Sequence, residues 1–244
     1  MRGLGLGLGP GPRRRAAAAA PAWSPADLGG PSVTALWVKA KDAATLFSDP
    51  ARTTPAGDGV AVGGIADKSG NGRHLSQATL ANRMTRSAAL GQLTADGGDR
   101  YAVVSFGATL AQAFSVAAVW RADNASGMLF DNTTPRFLVN RGATSDVAQM
   151  HAGTTLAAPG LPSASDLAAY YYEFNGANSK VFRNGALAVT GNAGANGAAG
   201  LGLGGVVSFL VGGVGELLAF TRLLSAPEQA QLWAYFASEW SLTF

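Results

Sequence analysis

Past its first thirty residues the chain is patterned in short alternating runs. In AFSVAAVW (113–120), Phe114, Val116, Ala118 and Trp120 fall on one side of an extended strand and Ser115, Ala117 and Val119 on the other, which predicts a sheet with a large-residue inner face. Comparable runs recur as VTALWV (33–38), YAVVSF (101–106), RFLVN (136–140), VAQMH (147–151), AAYYYEF (168–174), KVFR (180–183), ALAVT (186–190), VVSFLV (206–211) and VGELLAF (214–220), each bounded by turn residues. Asn184 and Gly185 stand between two of them and tolerate the positive φ values of a type I′ turn, so 180–190 is predicted as a hairpin. Residues 191–205 are almost wholly Gly, Ala and Asn and are expected to form a long loop or a thin edge strand. The period then changes. Leu232, Phe236 and Trp240 recur at four-residue steps behind Ser225 and Glu228, which have capping-box spacing, and Pro227 suits a first turn; this predicts a helix over 226–240 with its apolar stripe on the sheet.

Residues 1–30 read as a separate segment, an N-terminal arm ahead of a body at 31–244. In an extended GLGLGLG, Leu4, Leu6 and Leu8 share one face and bare glycines the other. Glycine loses the most entropy on ordering, so such a strand needs a host surface, and its bare face lets a host backbone approach as in strand addition. Leu4, Leu6 and Leu8, with Arg13, Arg14 and Arg15, are therefore the candidate docking residues; the competing reading is a chain end without fixed structure. The arginines follow the leucines rather than precede them, unlike the basic start of a secretory signal.

Composition narrows the function classes. Apolar residues make up 48% and charged residues 14%, so the chain can bury a large core, and 33 glycines suit a fold that turns often. With no cysteine, disulfides, thiolate metal sites and thiol nucleophiles are excluded, and two histidines make a protein-only zinc site an unexpected one. Four of the 18 basic residues precede Asp27, and the others face 15 acidic residues, so the body is close to neutral and no nucleic-acid partner is expected. No apolar run approaches the roughly 20 residues that span a bilayer, and no membrane insertion is expected.

The block LWVKAKDAATLFSDPARTTPAGDGVAVGGIADKSGNGRHLSQATLANRMTR (36–86) resembles the opening of concanavalin-A-like, laminin-G-type domains, in which a Trp-bearing strand is followed by a D-K-S-G-N-G turn; His74, Gln77, Asn82 and Arg83 fall where that pattern expects similar residues. FRNGALAV (182–189) and GELLAFTRLLSAPEQAQLWAYFASEW (215–240) resemble the family's late hairpin, last strand and closing helix. The resemblance implies an all-β fold: a two-sheet antiparallel jelly-roll sandwich with a C-terminal helix, here behind an extended arm. The order of Gly-Leu arm, WSPADL (23–28) and DPARTTPAGDG (49–59) is similar to virion-associated proteins of tailed bacteriophages and prophages that decorate a tail, fibre or head. It implies other virion proteins as partners of the arm and a virion location. One departure stands out: SFGATLAQ (105–112) replaces the family's aspartate-rich turn, which puts any calcium or sugar role of that turn in doubt.

The chemistry agrees with binding rather than catalysis. Glycoside hydrolysis ordinarily needs two carboxyl groups about 5–9 Å apart. The four glutamates, 173, 216, 228 and 239, have no other carboxylate within four residues, so no enzyme activity is expected. No G-x-S-x-G elbow or phosphate loop occurs, and the G-x-G-x-x-G at 200–205 is followed by a strand-like run where a dinucleotide site needs a helix. Asp96 and Asp99 are the one close acidic pair in a loop: either a solvated turn, or two hard ligands for calcium, the only cofactor the sequence leaves open. Asp67 is expected to cap its own turn. A sugar platform needs an exposed aromatic, for which Trp23, Trp120 and Tyr170–Tyr172 are candidates. Consecutive tyrosines face both sides of a strand, so Trp120 and Tyr171 join Asp96 and Asp99 as ligand-binding candidates, with core packing as the alternative. Together with this chemistry, the resemblance implies a non-enzymatic structural or adhesion protein of a bacteriophage-type particle, displaying a lectin-like body to a cell-surface glycan, with self-association left open. The alternatives are a secreted carbohydrate-binding module and a sandwich-fold glycoside hydrolase.

Overall fold

The structure is a computed structural model that describes residues 23–123, 127–133, 136–141, 147–158, 166–205 and 209–244. Its elements, in chain order, begin with β1 (Thr34–Lys39), β2 (Leu46–Phe47), β3 (Gly64–Ile65), β4 (Leu75–Ser76), β5 (Thr85–Ser87) and β6 (Gln92–Asp96). There follow β7 (Val104–Leu110), β8 (Phe114–Ala122), β9 (Met128–Thr133), β10 (Arg136–Arg141), β11 (Ala148–His151) and β12 (Thr155–Ala158). The chain closes with β13 (Ala168–Phe174), β14 (Ser179–Arg183), β15 (Ala186–Gly191), β16 (Ala198–Leu203), β17 (Val211–Phe220) and helix α1 (Ala226–Trp240). The strands form a two-sheet antiparallel β-sandwich. One sheet runs β15-β14-β13-β8-β17-β6-β5, the other β12-β11-β10-β9-β16-β7, and β2, β3 and β4 make a small third sheet. Strand β17 organises the first sheet: β8 pairs along one edge, while β6 (against Val211–Val214) and β1 (against Glu216–Phe220) share the other.

The alternation read from β8 decides the layers. Phe114, Val116, Ala118 and Trp120 face the space between the sheets with Tyr170, Tyr172 and Phe174 of β13. Phe130 of β9 and Phe137 of β10 meet them there; Phe114 stacks on Phe174 at 4.8 Å and stands edge-on to Phe137 at 5.6 Å. The opposite face of the same sheet, Ala117, Val119, Ala169, Tyr171, Leu218 and Phe220, is covered by Leu232, Phe236 and Trp240 of α1. The central strands of this sheet, β8, β13 and β17, are therefore buried on both faces.

Helix α1 starts as predicted: Ser225 N and Oγ both donate to Glu228 Oε2 at 2.8 Å, and Arg222 clasps the same carboxylate at 2.6 and 2.8 Å. The hairpin at 180–190 is also present, with Asn184 and Gly185 at φ 46° and 80°. Three expectations change. The Gly/Ala stretch at 191–205 is no edge: β16 lies inside the second sheet between β9 and β7, because side-chain-free positions let neighbouring backbone close in. A Cβ on Gly200 would stand 2.3 Å from the Val104 carbonyl oxygen. The run at 206–211 contributes only Val211 to β17 among its described residues; Phe209 makes an isolated bridge to Met128. The body also begins earlier than residue 31, since Pro25 and Leu28 are buried and Leu28 joins the cluster beneath α1. Among the described residues no helix is long and apolar enough to cross a membrane.

Candidate functional site

Capping chemistry helps to build a groove walled by aromatic side chains. Ser24 starts a short 3-10 turn whose Asp27 carboxylate accepts from Ser24 N at 2.8 Å, a local bond that fixes the direction in which Trp23 leaves the body. Trp23 stands edge-on to Tyr235 of α1, with ring centres 6.1 Å apart. Residues at three- and four-residue steps share a helix face, and so Gln231, Ala234, Tyr235, Ser238 and Glu239 form one wall of an open groove of about 460 Å³ with Trp23 and Lys39 across from it. Lys39 Nζ lies 5.3 Å from the Tyr235 ring centre and 3.1 Å from Glu239 Oε2.

Beneath this groove lies a buried carboxylate. Glu216 of β17 is fully inaccessible, yet every partner it needs is present: Trp37 Nε1 donates to Oε1 at 2.6 Å, Tyr235 Oη to Oε1 at 2.8 Å, and Trp240 Nε1 to Oε2 at 2.9 Å. Burial pushes the Glu216 carboxyl above the ordinary glutamate value while the three donors pull the other way. The Tyr235 hydroxyl is pushed up in turn, by burial and by the carboxylate it bonds. Two sheet strands and the helix are thus bolted together under the groove floor, and Tyr235 is held in one orientation.

The sequence candidates land in different places. Trp23 lines the groove. Trp120 and Tyr171 do not reach the surface: Trp120 Nε1 donates to Tyr172 Oη at 3.2 Å between the sheets, and Tyr171 Oη accepts from Leu224 N at 2.7 Å under the helix. As ligand-binding residues they are corrected by the layering itself, which covers both faces of the strands that carry them. Asp96 and Asp99 serve their own turn: Asp99 Oδ2 accepts from Asp96 N at 2.9 Å and Asp96 Oδ1 from Gly98 N at 3.1 Å. Burial raises the Asp99 carboxyl above its usual range, and among the described residues no three His, Asp or Glu side chains gather as a metal site. Asp67 caps its turn as expected, accepting from Ser69 N at 2.9 Å and Arg73 N at 3.0 Å, and also ties that turn to β1 through Trp37 N at 3.0 Å. Leu4, Leu6, Leu8, Arg13, Arg14 and Arg15 lie outside the described residues.

Sequence reasoning missed Glu216, Lys39 and the α1 face. The helical spacing that placed Leu232, Phe236 and Trp240 inward also places Gln231 and Tyr235 beside that stripe, so part of the signal was present. The pairing of Glu216 with Trp37 spans 179 positions and left no local trace.

No protein-family model matches the chain, and no curated protein matches its sequence. Solved structures do. Botulinum neurotoxin type C, whose cell entry is dependent upon interaction with two ganglioside molecules, aligns with 83% of this chain and 51% of its own at 11% identity and a TM-score of 0.53. Trypanosoma rangeli sialidase in complex with sialic acid aligns with 71% of this chain and 31% of its own at 14% identity and a TM-score of 0.52. This chain therefore spans about half of the toxin chain and a third of the sialidase chain. At such identities the likeness is one of fold: a jelly-roll-like β-sandwich.

Proposed function

We propose that this chain is a non-catalytic glycan-binding protein that holds a sugar in the groove between Trp23 and helix α1. The observation that carries the reading is the Trp23–Tyr235 groove itself: an apolar ring face for a sugar's C–H surface, with Gln231, Ser238 and the Lys39–Glu239 pair supplying donors and acceptors for its hydroxyls. Two further observations support it. The fold is shared with a neurotoxin whose cell entry depends on interaction with gangliosides and with part of a sialidase solved in complex with sialic acid. Each glutamate is already committed: Glu173 to Lys180 and Gln229, Glu216 to its three donors, Glu228 to Arg222 and Ser225, Glu239 to Lys39. Of these only Glu239 lines the Trp23 groove, without the second carboxyl that a hydrolase uses.

The test is a glycan array with the full chain, followed by titration of the best ligand. Trp23→Ala should weaken binding at least about tenfold in a chain that still unfolds cooperatively, since loss of the platform removes on the order of 1.4 kcal/mol or more. Unchanged affinity would remove the groove from the reading, and sugar release abolished by a glutamate substitution would replace it with a hydrolase.

The setting in which the body is displayed is proposed from the sequence resemblance: a bacteriophage-type particle, joined through Leu4, Leu6, Leu8 and Arg13–Arg15. Deleting residues 2–20 should leave glycan binding intact and abolish incorporation into particles. A mature protein found free, with that segment removed, would favour a secreted module.

A further inference from the structure

We infer that a second groove, beside Arg100, is a binding site selective for a sugar bearing a carboxylate. This groove, of about 420 Å³, is lined by Ser76, Gln77, Thr79, Asn82, Arg100 and Val103 among others, and shares no residue with the Trp23 groove. Its walls are held from behind. Arg83 spends its guanidinium on the carbonyls of Gln77, Ser48 and Ala78, each at 2.8 Å, which fixes the 77–79 segment. Arg100 N donates to the Asn82 carbonyl at 3.1 Å, and Gln77 Nε2 donates to the Arg100 carbonyl at 2.6 Å, so the backbone carrying Arg100 is pinned on both sides.

The Arg100 side chain is used differently from that of Arg83. Its exposed guanidinium lies 5.5 Å from the Phe209 ring centre, and it makes no ion pair or side-chain hydrogen bond among the described residues. The acids nearest in sequence do not compensate it: Asp96 and Asp99 are turned onto backbone N–H groups of their own loop, and burial disfavours the charge on Asp99. A planar fork of N–H donors that no protein acceptor occupies matches a carboxylate bidentately. Around it, the hydroxyls of Ser76 and Thr79 and the amide of Asn82 have no hydrogen-bond partner among the described residues, and they supply the mixed donors and acceptors that ring hydroxyls require. A simple anion would use the arginine and leave these three idle; a neutral sugar would use the three and leave the arginine idle. A sugar acid uses both.

The experiment titrates the full-length chain with glucuronic acid, glucose and acetate, followed by NMR. Glucuronic acid should bind at least about tenfold more tightly than either of the others. Arg100→Met, which keeps the stem over Phe209, should reduce glucuronic acid to the level of glucose, and Asn82→Ala should weaken it without restoring acetate. Trp23→Ala should leave this binding unchanged, so failure here and failure of the first groove are read separately. Absence of glucuronic acid binding, insensitivity to Arg100→Met, or acetate binding as tightly as glucuronic acid would each overturn the proposal.

Discussion

A single residue, Glu216, shows how local identity acquires meaning only from its surroundings. A buried carboxylate is costly unless donors replace its water, and here two indoles and a phenol do so. Replacing it by alanine leaves three buried donors unpaired, each costing about 1–3 kcal/mol, so Glu216→Ala should lower the unfolding free energy by about 3 kcal/mol or more. Glu216→Gln keeps the shape but turns an N–H₂ group toward Trp240 or Trp37 and should cost less than alanine yet still be measurable. Denaturant midpoints with constant m-values check both. Of the candidate aromatics, Trp23 lines a groove, whereas the fates of Trp120 and Tyr171 depended on which faces of their strands the rest of the chain would cover.

At the scale of elements, the helix and the thin strand contrast. Helix α1 was readable because its determinants are local: a cap, a proline and a four-residue stripe. Glu228→Ala removes both the capping box and the clasp of Arg222 and should cost about 1–2 kcal/mol. That clasp holds the Glu228 carboxyl down to about 2. A depressed carboxyl contributes fully above its unfolded value, roughly 4.3, and loses the contribution as pH falls through the folded one. Wild type should therefore lose stability relative to Glu228→Ala between those two pH values, and thermal melts across that window would show the two curves converge. Strand β16 was not readable, since Gly and Ala carry no alternation and the reason for them lies in the backbones on either side. Gly200→Val should push β16 from β7 and cost about 1–3 kcal/mol, seen as a lowered melting temperature with faster hydrogen exchange in 198–203.

For the whole molecule, two stacked cores share one sheet. The sequence pattern implied the core between the sheets; that the outer face would also be covered rested on assigning α1 to it. Removing residues 225–244 should expose Tyr171, Leu218 and Phe220 as a continuous apolar patch, and the truncated chain should aggregate rather than unfold cooperatively, as light scattering during expression and refolding would report.

By itself, the sequence determined what short-range physics can determine: strands from alternation, a hairpin from Asn184-Gly185, a capped helix from Ser225 and Glu228, and a body with little net charge. Only the tertiary structure decided which faces meet, that β16 lies within a sheet, that Glu216 joins Trp37 and Trp240, and that Trp23 and Arg100 each border a groove. The reason is range. Turns, caps and periodicity arise between neighbours, whereas a groove and a satisfied buried charge arise from residues that are adjacent in space alone, and one chain read in order leaves no mark of that adjacency.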